Sequence, residues 1–264
     1  MRARNDWLDA CRNCGFLAST LVPGAGTGID GLEDLRRSNF ERLLDALEPL
    51  RPLAGARLLE VGCAKGWFLT TAARRGAIVR GIEPELSNAE IARSTGLTVE
   101  SGFFPADLRD HGPYDIIVFN DVFEHLPHPG AAIEDVEALL SPGGLVVINA
   151  PSSSGTLYAI ASFLAAFGIH GPFERLWQKG FPSPHLSYFD PASLKQLVQR
   201  HSGLKAAAQF PLVTVTRRGL AARIASSHPG VAGKGMLVAI WGLSFVLPLL
   251  PADIQVAVFR RQGG

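Results

Sequence analysis

The sequence predicts an α/β fold, a doubly wound and mostly parallel sheet with helices on both faces. Three observations carry this. Short apolar runs alternate with amphipathic stretches along most of the 264-residue chain, which is the pattern of strand–helix–strand units. The first two runs each close on an acid, Leu58-Leu59-Glu60-Val61 and Ala77-Ile78-Val79-Arg80-Gly81-Ile82-Glu83. Between them the small-residue loop Gly62-Cys63-Ala64-Lys65-Gly66 opens into a helical pattern. That sets a helix N-terminus, with its free N–H groups, at the carboxyl end of a strand, where open α/β sheets bind their ligands.

The elements follow in order. Leu32, Leu35, Leu43, Leu44 and Leu47 recur at near-helical spacing over residues about 30–48, and Pro49 and Pro52 end that helix. Strands are expected at about 57–61, 77–82, 97–99, 114–119 and 143–149, alternating with helices at about 66–75, 87–95 and 129–140. Two further strands are expected in the tail, at about 204–216 and 253–260.

The glycine loop carries the chemistry. Gly62 and Gly66 can take dihedrals that other residues avoid, and they let a ligand approach the backbone. Glu83 follows about 21 residues after Gly62. A carboxylate so placed can accept hydrogen bonds from both ribose hydroxyls of an adenosine. A literal G-x-G-x-x-G occurs at Gly26-Thr27-Gly28-Ile29-Asp30-Gly31. It follows Pro23 rather than a strand, and no strand ending in an acid lies about 20 residues on, so it reads as a loop.

The motif Glu60-x-Gly62-x-x-x-Gly66 with Glu83 resembles the class I S-adenosylmethionine-dependent methyltransferases, near the ubiquinone-pathway O-methyltransferases and the methyltransferase type 11/23 group. The likeness continues through Tyr114-Asp115-Ile116-Ile117-Val118-Phe119-Asn120-Asp121-Val122-Phe123-Glu124-His125-Leu126-Pro127-His128-Pro129, similar to the family's fourth strand and following loop. Leu140-Ser141-Pro142-Gly143-Gly144-Leu145 and His185-Leu186-Ser187-Tyr188-Phe189-Asp190 resemble its later turn and pre-helix segments, so residues about 55–205 are covered. The resemblance implies a Rossmann-like, seven-stranded sheet whose last strand is antiparallel. It implies S-adenosyl-L-methionine as cofactor, with Glu60, Gly62, Cys63, Ala64 and Gly66 forming the first loop and Glu83 holding the ribose with Pro84 beside it. It further implies Gly102 and Phe103 on the adenine side, where the family commonly has an acid after the glycine, and Asn120 and Asp121 beside the cofactor.

Methyl transfer to a hydroxyl benefits from a base, and histidine suits that task because it titrates near neutrality. His125 and His185 are the candidates, and His128, between two prolines, reads as loop surface. The acceptor expected is a small molecule, a glycan or a lipid-like compound, methylated at oxygen. Two other readings remain open, a non-catalytic methyltransferase-like binding protein and an NAD(P)-dependent oxidoreductase.

Composition narrows the partners. A formal net charge of +1 gives no electrostatic case for nucleic acid. No export signal opens the chain and three cysteines make no disulfide framework, so a cytoplasmic protein is expected. Residues 1–29 read as an N-terminal arm with a lone C-x-x-C, Cys11 and Cys14, which is half of a four-ligand zinc site; no metal is expected. Residues 30–264 read as a single methyltransferase domain. Within it an apolar insertion at 151–184 reads either as a lid over the acceptor or as a helix that covers core. The uncharged segment 235–252 reads as a buried or substrate-facing helix, a membrane-surface contact or a span, with Gly242, Pro248 and Pro251 arguing against the span.

Overall fold

The computed structural model describes residues 2–22, 33–213, 241–242 and 249–263. The G-x-G-x-x-G stretch and most of segment 235–252 lie outside them.

An N-terminal group of short strands comes first: β1 (Arg2–Asn5), β2 (Leu8–Ala10) and β3 (Leu17–Ser19). The main domain follows with α1 (Glu33–Leu47), β4 (Arg57–Val61), α2 (Trp67–Arg74), β5 (Ile78–Glu83), α3 (Leu86–Ser94), β6 (Val99–Ser101) and β7 (Tyr114–Asn120). Next are α4 (Pro129–Leu139), β8 (Leu140–Pro151), α5 (Thr156–Ala166), α6 (Gly171–Leu176), β9 (Ser187–Tyr188), α7 (Pro191–His201), β10 (Lys205–Pro211) and β11 (Ile254–Arg260).

The large sheet has seven strands in the order β10-β11-β8-β7-β4-β5-β6. Neighbours from β8 to β6 are parallel, and β11 alone runs against them, pairing antiparallel with both β8 and β10. The expected fold is therefore the observed one. Successive strand residues point to opposite faces. Leu58, Ile116, Val118, Val147 and Val258 pack under α1, α2 and α3, whereas Leu59, Ile117, Phe119, Val146 and Ile148 pack under α4 and α7. Burial on both faces explains why these strands read as continuous apolar runs.

Chain order reverses between β4 and β7. After β4 the chain adds β5 and β6 on one side, then returns to place β7 on the other. The crevice at that reversal, outside the carboxyl ends of β4 and β7, is where this architecture binds ligands.

The N-terminal stretch is not a free arm. It forms a second sheet, β1-β2-β3-β9, in which Leu17 pairs with Tyr188 and Ala18 with Ser187. Its Leu8 and Leu17 join Tyr158, Ala161, Phe173, Trp177 and Tyr188 in a third apolar cluster. The insertion thus packs in a core of its own, built on aromatic rings. Its outward side stays apolar, with Ile160, Phe163, Phe167 and Ile169 exposed. No helix among the described residues is long and apolar enough to cross a membrane.

Candidate active site

A cleft of about 1080 Å³ opens at the reversal point. One half is walled by the glycine loop and the ends of β4 and β7, through Glu60, Gly62, Cys63, Ala64, Asn120 and Asp121. The other half is walled by the insertion and the segment after it, through Leu157, Tyr158, Leu176, Gln178, His185 and Tyr188, with His125 on the same side as His185.

The loop's shape follows from its residues. Gly62 takes φ 69°, and a Cβ there would stand 2.5 Å from Val122 Cγ2. Gly66, at φ 75°, caps α2 with left-handed backbone. Ala64 also adopts positive φ, 44°, where the family commonly has glycine. The loop closes on its own acid: the Ala64 N–H donates to Glu83 Oε2 at 2.8 Å, and Glu85 N–H donates to Oε1 at 3.0 Å. Burial raises the Glu83 pKa against the pull of those two N–H groups.

Glu60 is buried, and its Oε1 accepts a 2.8 Å hydrogen bond from Asn120 Nδ2, while Oε2 has no partner. Burial, opposed by Asn120 and reinforced by Glu83 and Asp121, pushes its pKa up to about 8. An unpartnered buried carboxyl oxygen facing the cleft fits the ammonium end of a methionyl group. The residues present therefore fit the cofactor. Asp121 pairs with Arg36 of α1 at 3.7 Å, which closes the outer side of that half.

Cys63 is placed differently from a ligand-contacting thiol. Its side chain is 4% exposed and sits in the core, its sulfur near Gly81, and burial pushes the thiol pKa up. Gly66, Glu83, Pro84, Gly102 and Phe103 do not line the cleft wall. The last two follow β6, the outermost strand on that side, and Phe103 is largely exposed. Asp107, five residues after Gly102, accepts the Phe103 N–H at 2.8 Å and lies against Gly102.

The second half gathers His125, His185 and Glu124. A single 3-10 turn, Phe123–His125, follows β7 and holds the first and third of these. The Leu186 N–H donates to the Glu124 carbonyl at 2.8 Å, tying that turn to the segment bearing His185. The rings of His125 and His185 meet edge to face at 4.8 Å between centroids. His125 Nδ1 lies 2.9 Å from the Pro184 carbonyl. A carbonyl only accepts, so Nδ1 carries the proton and Nε2 keeps its lone pair. His185 Nε2 lies 2.9 Å from Gln178 Nε2, an amide donor, so this nitrogen too is an acceptor. Burial lowers both imidazoles, His185 to about 3 with His125 adding to the fall, and raises Glu124 well above the usual carboxylate range. Glu124 Oε1 lies 4.0 Å from His125 Nε2 and 3.9 Å from His185 Nε2. Sequence reasoning named both histidines but not Glu124. The adjacent Glu124-His125 pair in the loop after β7 was the available signal.

Comparison with known proteins agrees with this geometry. The Methyltransferase domain family matches residues 32–209. A ubiquinone biosynthesis O-methyltransferase of Xylella fastidiosa (strain 9a5c) is 32% identical over 184 residues, covering 62% of this chain and 70% of the relative. A second, from Ralstonia nicotianae, is 29% identical over 125 residues, and the match spans about half of that relative, 52%, and 45% of this chain. Among solved structures, the magnesium protoporphyrin IX methyltransferase from Synechocystis PCC 6803 with bound SAH superposes with a TM-score of 0.57 at 14% identity, covering 90% of each chain. That likeness bears on the fold.

Proposed function

The chain belongs to the Methyltransferase domain family and is a class I S-adenosylmethionine-dependent methyltransferase, and from that premise we propose that it methylates an oxygen of a small, largely apolar acceptor. One observation carries the proposal: a single cleft joins the glycine-loop half to an aromatic-walled half that ends at two imidazole lone pairs. The O-methyltransferase names of the relatives support the choice of oxygen.

The cofactor brings a methyl group already activated on a sulfonium. The chain's share is placement and proton handling. Glu60 and Asn120 hold the methionyl end, Gly62 and Ala64 offer backbone, and Glu83 keeps lone pairs for ribose hydroxyls beyond the two N–H groups it already accepts. Gly102 is the adenine-side residue that the family resemblance implies. Tyr158, Leu176 and Tyr188 exclude water around the acceptor. His125 activates its hydroxyl through Nε2, and His185 does so once the acceptor displaces Gln178 from its Nε2. Holding acceptor and methyl group in line supplies most of the rate gain in such a displacement, and proton removal adds roughly 10²–10⁴-fold.

The test is a methyl-transfer screen read by intact mass across phenols, catechols, polyprenyl phenols and sugars. A phenol or polyprenyl phenol methylated at oxygen is the expected result. Transfer to none of them, with S-adenosylmethionine still bound, would return the non-catalytic reading.

A further inference from the structure

Cys11-Arg12-Asn13-Cys14 opens the turn that joins β2 to β3 in the N-terminal sheet, and neither cysteine lines the cleft. Cys11 uses its backbone twice. Its N–H donates to the Phe16 carbonyl at 2.7 Å, and its carbonyl accepts the Gly15 N–H at 3.1 Å. Gly15 closes the turn in left-handed backbone, at φ 74°. So tight a turn keeps Cα atoms three residues apart within roughly 7 Å, the most that a disulfide can bridge. Both thiols are free and partly exposed, beside the exposed Arg12, Asn13 and Gly15. The Cys14 thiol reaches hydrogen-bonding distance of the Cys11 sulfur. Among the described residues, no histidine, carboxylate or further cysteine joins the pair to make a set of three metal ligands.

We propose that Cys11 and Cys14 are a reactive dithiol, which exchanges with a low-molecular-weight disulfide of the glutathione class and closes into an intramolecular disulfide. The Cys11 thiolate attacks one sulfur of that disulfide, RSSR. A bond from Cys11 to SR forms as the S–S bond of RSSR breaks, and the departing RS⁻ takes up the proton that Cys11 released. Cys14 then loses its own proton and attacks the Cys11 sulfur, which breaks the mixed disulfide and releases a second RSH. Two thiols of the chain are oxidised to one disulfide, and one RSSR is reduced to two RSH.

The two roles divide by position. The backbone N–H groups of Cys14 and Asn13 point at the Cys11 sulfur, and with the Cys14 thiol they lower its pKa from the ordinary 9.0 to about 7. Cys11 is therefore the attacking thiol and Cys14 the resolving one. At pH 7 about half of Cys11 is thiolate, against about 1% of an ordinary thiol. The less basic sulfur is a weaker nucleophile by roughly six- to tenfold, which leaves exchange about five- to eightfold faster than at an ordinary thiol. The third cysteine, Cys63, is 4% exposed and burial raises its pKa, so it stays a thiol. This chemistry is independent of the methyl acceptor.

The test uses the full chain, analysed for metal as purified, then reduced, desalted without oxygen and treated with glutathione disulfide at pH 7. Alkylation under denaturing conditions and intact mass read the result. Loss of two alkylation sites and of the mass of two hydrogens is expected, with Cys63 still alkylated and excess reduced glutathione restoring both sites. Cys14→Ser should hold one glutathionyl group on Cys11, because no resolving thiol remains. Cys11→Ser should react about fivefold more slowly or less, and should form no intramolecular disulfide. Both variants should bind S-adenosylmethionine as the wild type does, which establishes that they fold. A wild-type chain that keeps both thiols in excess glutathione disulfide overturns the site, as does a Cys14→Ser chain that gathers no glutathionyl group. A disulfide between two chains in place of the internal one overturns it too. So does zinc held by the pair in the purified chain, if it must be chelated away before the thiols react.

Discussion

The Glu83 carboxylate accepts the backbone N–H of Ala64 at 2.8 Å, so the acid that ends β5 also fastens the loop that follows β4. One side chain thereby couples cofactor recognition to the shape of the cofactor loop. Glu83→Ala should weaken S-adenosylmethionine binding by roughly 1.5–3 kcal/mol, the range for hydrogen bonds to a charged group, and should also lower the melting temperature of the ligand-free protein. Calorimetry and a thermal melt measure the two effects. Wild-type affinity in a destabilised variant would leave Glu83 a loop fastener with no part in ribose binding.

Glu60 predicts a pH dependence. Its pKa in the folded protein is pushed up to about 8, chiefly by burial, from the ordinary 4.5. Between those values the folded chain keeps a proton that the unfolded chain has released, so stability falls as pH rises from about 4.5 to about 8 and the effect is then complete. Glu60→Gln removes this slope. Plotted against pH, the melting-temperature difference between variant and wild type should move in the variant's favour up to about pH 8 and then level. Parallel curves across that range would mean that Glu60 titrates normally. Cofactor binding should also release a proton in this window, because an ammonium beside Glu60 favours its carboxylate. Calorimetry in buffers of different ionisation enthalpy would detect it.

Why the sequence disclosed some of this and not the rest has a physical basis. Strands β4, β5, β7 and β8 are buried on both faces, so local composition and fold agree, and the predicted 57–61 coincides with β4. Glu60, Gly62, Ala64, Asn120 and Asp121 were legible because they stand at strand ends beside one topological reversal. Ala64 looked like a departure from the family, yet the backbone there remains left-handed at φ 44°; alanine accepts the conformation at some cost. The N-terminal sheet was not legible. Its strands are three or four residues long, too short to show a period, and β3 pairs with a two-residue partner, β9, far away in the chain. Glu124 escaped because its meaning comes from His185, brought near only by the tertiary fold.

The histidine pair predicts a separation of kinetic parameters. His185→Ala and His125→Ala should each lower turnover by roughly 10²–10⁴-fold, the share that proton removal contributes. Affinity for S-adenosylmethionine should stay within about twofold of wild type, because neither ring belongs to the glycine-loop half of the cleft. Steady-state kinetics with an identified acceptor, paired with cofactor titration, provides the check. Unchanged turnover in both variants would remove the histidines from the mechanism.

Trp177 predicts a local effect in place of a global one. The ring is fully buried and packs against Trp7, Phe173 and Tyr188, at 5.6, 6.4 and 4.7 Å between centroids, so it joins α6, the N-terminal sheet and β9. Its carbonyl also receives the His185 N–H at 3.1 Å. Removing a large buried aromatic costs roughly 3–5 kcal/mol when the whole fold depends on it. Here the aromatic cluster is separate from the two clusters that sandwich the main sheet, so the loss is limited by the free energy of opening this subregion. Trp177→Ala should therefore shift the main unfolding transition little. Amide exchange across residues 156–188 and in β2 and β3 should accelerate strongly, while β4 and β7 stay protected. With this subregion loosened, KM for the acceptor should rise far more than the dissociation constant for S-adenosylmethionine. Uniform loss of protection in both sheets would show that this subregion and the main domain unfold as one unit.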